Sequence, residues 1–230
     1  LEENPADFRA RFNLACALED VEALRRFEAS KQSDAALAAA GRTAAEAARA
    51  AARAEYQALL AADPTDLRAT VNLAAMDFED ADRSGDAARE TAGLERLAAI
   101  ASSGGHVLPA RSLAARHLAK DRRAEAATWI GKALAADGSD VEALFLKGRL
   151  ASLERRFEDA LKAFDEVLLN APDDVAALLA SGESERRHAA AAKAAGDEAG
   201  EARSTTEAII RYRRAAMARR DVFPAHLALA

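Results

Sequence analysis

The 230 residues contain one cysteine, Cys16, and one tryptophan, Trp129. A single thiol excludes an intramolecular disulfide framework. Aromatic residues make up only 5% of the chain, so a core must be built mainly from small and aliphatic side chains. No apolar run approaches the roughly 18 residues that a membrane-spanning helix needs. Positive charge is in deficit, with 32 Lys and Arg against 38 Asp and Glu, and the net charge of −6 argues against a general nucleic-acid binder. The chain starts at Leu1 with neither an initiator Met nor a signal-peptide pattern. Cytoplasm and periplasm both stay open as compartments. What is abundant is alanine, about a quarter of the chain and the best helix former. Arg outnumbers Lys by 26 to 6, a lean toward GC-rich coding and a bacterial source.

Self-similarity is the next signal, because periods of 20 to 50 residues decide a fold. RARFNLACALED near the start returns as RATVNLAAMDFED, so that Asn13-Leu14-Ala15 answers to Asn72-Leu73-Ala74 at a distance of 59 residues. NPAD (Asn4 to Asp7) returns as DPTD (Asp63 to Asp66) at the same distance. The clearest unit is the 34-residue stretch Val141 to Asp174. Within it Gly148 and Ala160 are small where two helices of a hairpin would cross. Ala160, Phe164 and Val167 fall on one helix face, and Pro172 ends the unit, since a proline pushes the residue before it out of the helical region. Leu144, Gly148, Ala160, Phe164 and Pro172 lie at the spacings of the tetratricopeptide pattern, with Leu144, Lys147 and Ala151 in its Trp, Leu and Tyr slots. The chain thus resembles the tetratricopeptide repeat family.

The resemblance implies an all-α, right-handed superhelix of tandem antiparallel helix hairpins. Stepping by 34 places Ala114 and Gly182 in the Gly slot of the neighbouring units, with Ala126 and Ile130, then Ala208, Tyr212 and Ala215, on the second helices. The units expected are residues 8–66, 67–106, 107–140, 141–174 and 175–222, with another starting at 223–230. The first exceeds the standard length by 25 residues of mostly helix-forming composition. It is expected as a lengthened hairpin, each helix longer by about three turns, or roughly 18 Å. Its alanine pattern breaks at Ser30 to Ser33 and again at Gly41-Arg42, while Ala52 and Tyr56 take the second-helix slots. GDEAG (Gly196 to Gly200) is the expected tip of the fifth hairpin. Pro5, Pro64 and Pro172 are expected in turns, and Pro109 and Pro224 in first helical turns, where proline is tolerated. LEENPAD reads as the tail of a preceding hairpin and FPAHLALA as the start of a further one. The sequence therefore reads as a segment of a longer array.

In the family, an Asn directly before the Leu-Gly pair faces the concave groove, where its amide can grip a ligand backbone as donor and acceptor. The resemblance carries that role to Asn13 and Asn72, both expected outside the core. Their neighbours by the same carry-over are Arg9 and Phe12 beside Asn13, Arg68 beside Asn72, Arg111 in the third unit, and Phe145 with Arg149 in the fourth. Arg forks suit carboxylates, so the groove is expected to take an acidic segment or a C-terminal carboxylate.

Little else carries chemistry. His106, His117, His188 and His226 form no metal-ligand spacing, and His117 and His226 fall in the Tyr and Trp slots, where packing is expected. SSGGH lacks the Lys-Ser/Thr ending of a phosphate loop. Cys16 has no base nearby in sequence, and Trp129 sits among second-helix core residues. The expectation is a non-enzymatic scaffold without cofactor or metal that binds another protein or peptide and neither nucleic acid nor a membrane. Two alternatives accompany it: self-association through an open apolar C-terminal end, or a docking arm of a larger enzyme.

Overall fold

The computed structural model describes residues 7–218. Among them are ten helices and no strand, arranged as five antiparallel hairpins in two compact units divided after Gly104. The first unit pairs α1 (Phe8–Lys31) with α2 (Ala35–Ala62) and α3 (Leu67–Ser84) with α4 (Ala87–Gly104). In the second, α5 (Val107–Ala119) pairs with α6 (Arg123–Ala136), α7 (Val141–Leu153) with α8 (Phe157–Asn170), and α9 (Val175–Ala194) with α10 (Glu198–Ala218). Pro5, Pro224, His226 and the hairpin start at 223–230 lie outside the described residues.

Aspartate sets where the helices begin. Asp7, Asp34, Asp66, Asp140 and Asp174 each stand just before a helix and accept from backbone amides of its first turn. Such a cap typically contributes about 1 kcal/mol. The links between hairpins repeat as well. Asp63 Oδ1 accepts from both the amide and hydroxyl of Thr65, and Asp137 Oδ1 does the same with Ser139. Those bonds hold both carboxyls below the usual range. Pro64 and Pro172 occupy two of these links, and Pro109 stands in the first turn of α5. Within the second to fifth hairpins the chain reverses through a left-handed residue, Gly85, Asp121, Arg155 and Gly196 in turn, with φ between 55° and 75°.

One ring against one small residue organises several hairpins. Phe164 of α8 is fully buried, and three of its ring carbons lie 2.6 to 2.9 Å from where a Cβ on Gly148 of α7 would stand. Tyr212 of α10 covers Gly182 of α9 in the same way. The second hairpin inverts the arrangement, because the ring is Phe78 of the first helix, α3, and the glycine is Gly93 of α4. In the first hairpin Tyr56 of α2 packs in one cluster with Ala15 of α1, and in the third Ile130 packs with Ala114. His117 is buried in α5; Trp129 is half-buried against the α5–α7 cluster with the Lys132 ammonium 3.9 Å from its ring.

α1 and α2 have 24 and 28 residues, against 13 and 14 in α7 and α8. Their turn falls at residues 32–34, matching the first of the two breaks in the alanine pattern. Gly41 is different. It sits inside α2, and a Cβ there would stand 3.0 Å from the Cβ of Ala29, so the glycine marks a close helix crossing and not a turn. At the fifth hairpin the reversal occupies Gly196 and Asp197, and Gly200 already belongs to α10, its amide capped by Asp197.

Candidate functional site

In the first unit, the residues singled out around Asn13 and Asn72 divide into an exposed group and a supported one. Arg9 and Asn13 are exposed one turn apart on α1. Phe12 is half-buried, its ring centroid 5.9 Å from that of Tyr56, and the Arg68 guanidinium lies 5.9 Å from the Phe12 ring on its own side. Asn72 donates from Nδ2 to the Tyr56 hydroxyl at 2.8 Å. That hydroxyl also lies 3.5 Å from Cys16 Sγ and bonds the Glu19 carboxyl, and burial pushes the phenol upward. Burial likewise raises the Glu19 carboxyl, with the Tyr56 bond opposing it. Asn72 thus supports a fully buried ring.

Past these residues, a groove of about 620 Å³ runs between α1 and α3. Asn72, Ala75, Met76 and Glu79 form its α3 side at helical spacing, and Glu19, Asp20 and Ala23 its α1 side. The charge therefore varies along the face, from Arg9 and Arg68 at the start of the two helices to Glu19, Asp20 and Glu79 further on, where Arg26, Arg49 and Arg83 also line the groove.

In the second unit Arg111 is engaged. Its Nη1 donates to Asp140 Oδ2 at 3.0 Å and its Nε lies 2.8 Å from Glu142. Asp140 also caps α7, so this arginine ties α5 to the start of the next hairpin. Phe145 is half-buried, with its ring 5.7 Å from that of Phe164. Arg149 is exposed and lines a smaller cleft of about 170 Å³ between α7 and α9, with Ser152, Ser184, Glu183 and Arg187 around a Phe164 floor. The Ser184 hydroxyl bonds both Ser152 and the Ala180 carbonyl. Elsewhere Ser204, His188 and Glu158 form a chain at 3.3 and 3.4 Å, but Ser204 is buried to 3% exposure and His188 stacks on Phe157. That chain joins α8, α9 and α10.

A buried ion network in the first unit had no counterpart in the sequence pattern. Arg49 of α2 is 8% exposed. It donates to Asp80 Oδ1 (2.8 Å), Glu22 Oε2 (3.0 Å), Glu79 Oε2 (3.0 Å) and the Met76 carbonyl (2.8 Å). Arg53, one turn on, reaches Asp77 and Asp80, and Arg96 of α4 closes on Asp77. Burial opposes ionisation of Glu22, yet the bonds from Arg26 and Arg49 outweigh it and hold the carboxyl low; Asp80 is held low in the same way by Arg49 and Arg53. The only trace in the sequence is Arg49 and Arg53 at i, i+4 with Asp77 and Asp80 at i, i+3. Among the described residues no group of His, Cys, Asp and Glu is arranged to hold a metal ion, and no helix is long and apolar enough to cross a membrane.

No family model and no curated protein sequence matches the chain. Solved structures do. MamA superposes with a TM-score of 0.53 at 14% identity, covering 73% of this chain and 91% of that one. YrrB, described as a TPR protein with an unusual peptide-binding site, gives 0.52 at 16% identity over 77% and 81%. The human IFIT1 dimer solved with m7Gppp-AAAA gives 0.61 at 17% identity, over 77% of this chain and 41% of that one. At such identities the likeness is one of fold, and it agrees with the hairpin packing above. The chain has the tetratricopeptide-repeat fold.

Proposed function

We propose that the protein is a non-catalytic interaction scaffold that holds a segment of a partner protein along the first helices of its hairpins. The observation that carries this reading is the groove between α1 and α3, which is open, long and lined on both sides by helix-face residues. YrrB supports it, as a protein of the same fold with a peptide-binding site. IFIT1 shows that the fold is also found with m7Gppp-AAAA, so the lining must decide the ligand class. Here acids (Glu19, Asp20, Glu79, Asp82) and arginines (Arg26, Arg49, Arg83) share the lining, which suits a peptide carrying both signs of charge better than a uniformly anionic chain. The segment is acidic or ends in a carboxylate where it meets Arg9 and Arg68, with an apolar side chain against Phe12. In the second unit Arg149 and Phe145 offer the same chemistry, whereas Arg111 engages a ligand only by leaving Asp140 and Glu142.

A photo-crosslinking residue placed at Asn13 tests this in lysate of the source cells, with the same residue at exposed Thr128 of α6 as control. A discrete partner adduct at position 13, absent at 128 and weakened by Arg68→Glu, is the expected result. Equal labelling at both positions, or indifference to Arg68→Glu, rules out the α1–α3 face.

A further inference from the structure

Asp80 is the centre of an unusual balance. Its Oδ1 accepts from Arg49 Nε (2.8 Å) and Arg83 Nη2 (2.9 Å), and its Oδ2 from Arg53 Nη2 (2.8 Å) and Arg89 Nη1 (2.9 Å). A carboxylate has about four lone-pair sites, so this one is saturated. The guanidiniums are not, because each carries five N–H groups. Arg26 gives one of them to Glu22, and Arg53 and Arg89 give two each to Asp77, Asp80 and Asp86. Most of their donors therefore lack a protein acceptor among the described residues. All five arginines line one solvent-open cavity of about 600 Å³, bordered by α2, α3 and the start of α4 with Arg26 of α1 at its edge.

In charge the cluster is balanced, with Glu79 accepting from Arg49 beside Glu22, Asp77, Asp80, Asp86 and Glu46; the surplus is one of N–H donors facing the cavity. Glu22 and Asp77 lie behind the arginines at 7% and 5% exposure. Asp86 lines the cavity but already accepts from the Ala88 and Arg89 amides and from Arg89 Nε. Glu46 is the one remaining acid in the lining. A cavity rich in preorganised N–H donors, with its own carboxylate saturated, is built for an oxyanion with several acceptor oxygens. A phosphomonoester has three such oxygens and close to two charges. No aromatic side chain lines the cavity, so a base there would meet only guanidinium planes already held by Asp80 and its neighbours.

We propose that this arginine-lined cavity binds a phosphomonoester group carried by a phosphorylated side chain of a partner protein. The cavity shares Arg26, Arg49 and Arg83 with the wall of the α1–α3 groove, but the claim stands on its own donor surplus and does not depend on that groove being occupied.

Isothermal titration of the full chain at low salt tests it with four probes. These are a pentapeptide of phosphoserine flanked by alanines, its unphosphorylated form, inorganic phosphate, and a short RNA with a 5′-phosphate. The phosphopeptide should bind saturably, one per chain, at least about tenfold more tightly than the unphosphorylated peptide, as one charge-assisted bond implies. Arg26→Ala and Arg89→Ala remove half-exposed arginines while leaving buried Arg49 in place, and each should weaken binding about tenfold. Glu46→Gln should tighten it. A circular dichroism melt of each variant separates lost binding from lost fold. The proposal fails if the phosphopeptide does not saturate, or if both arginine variants bind it as well as the parent chain. It also fails if inorganic phosphate alone binds, or if the RNA binds more tightly than the phosphopeptide.

Discussion

Replacing Gly148 by alanine should change stability with opposite signs in two backgrounds. Gly148 lies inside α7, where alanine is favoured over glycine by about 0.5–1 kcal/mol because glycine loses more backbone freedom on folding. In the parent chain the new Cβ would meet Phe164 ring carbons at 2.6, 2.8 and 2.9 Å. That ring is fully buried, among Phe145, Ala151, Ala160 and Ala180, so it has little room to retreat. Overpacking of this kind costs about 1–3 kcal/mol, and Gly148→Ala should therefore be destabilising overall. Phe164→Ala by itself should cost about 3–5 kcal/mol for a buried aromatic. With the ring gone the clash disappears, so adding Gly148→Ala to Phe164→Ala should restore about 0.5–1 kcal/mol. Hydrogen exchange of the α7 and α8 amides, read by mass spectrometry, reports the local free energy and avoids assuming that a repeat array unfolds as one unit. Gly131 is the control. It is exposed in α6 with nothing within 4 Å of where its Cβ would stand, so Gly131→Ala should stabilise by about 1 kcal/mol in either background. The reasoning is refuted if Gly148→Ala is stabilising in the parent chain, or if its effects in the two backgrounds are equal.

Two further outcomes follow from the Tyr56 cluster. Glu19 has its folded pKa raised above the ordinary 4.5, chiefly by burial, so the stability of its protonated form is fully present below that value and is lost as pH rises through the raised folded value. Glu19→Gln should therefore raise the melting temperature at pH 7 and flatten the slope above pH 4.5; an unchanged profile would place Glu19 in open solvent. Glu22 and Asp80 have the opposite sign, with stability present above their ordinary 4.5 and 3.8 and lost as pH falls through their lowered folded values, so the acid limb should survive in Glu19→Gln. Asn72→Ala removes the amide that donates to the buried Tyr56 hydroxyl, which keeps its bond to Glu19, and should cost about 0.5–1.5 kcal/mol, while Asn13→Ala, at an exposed position, should stay within about 0.5 kcal/mol. Equal melting temperatures for the two variants would refute the support role of Asn72.

The hairpin architecture was legible because its determinants are local. A ring over a small residue needs a fixed spacing between crossing helices, and Gly148, Ala160 and Phe164 supply it within 17 residues. Aspartate caps and the proline links are equally local. The inversion at the second hairpin was not legible, since Phe78 and Gly93 satisfy the same packing rule with the helices exchanged, and the pattern assigns the small residue to the first helix. Gly41 was ambiguous for a related reason, as glycine serves a turn and a close crossing equally well. The buried ion network was hidden more deeply. Arg49 stands in an alanine-rich helix, and its partners Glu22 and Asp80 lie 27 and 31 residues away. Long-range charge pairing leaves no period in a sequence.

The two halves of the duplicated Asn-Leu-Ala motif are held by different chemistry, and the difference bears on function. Asn72 is engaged by the core, because Tyr56 brings a hydroxyl into a buried position where Asn72 donates to it and the Glu19 carboxyl also bonds it. A smooth apolar residue in the same slot, as Ile130 is in the third hairpin, makes no such demand. Asn13 meets no equivalent demand from the fold, so its amide is available to a ligand. A similar argument applies to the long hairpin. Its helices meet through Ala29, Ala38, Gly41, Ala45 and Ala48, which bury little apolar area per residue and so give the extension little hydrophobic stabilisation. Arg49 joins both of its helices to α3 through Glu22, Asp80 and the Met76 carbonyl. A buried ion cluster adds little net stability compared with apolar packing, but its bonds are directional. The apolar cluster of Ala15, Tyr56, Leu73 and Met76 sets α1 against α3 at one end, and charge geometry sets it at the other, where the five arginines converge on one cavity.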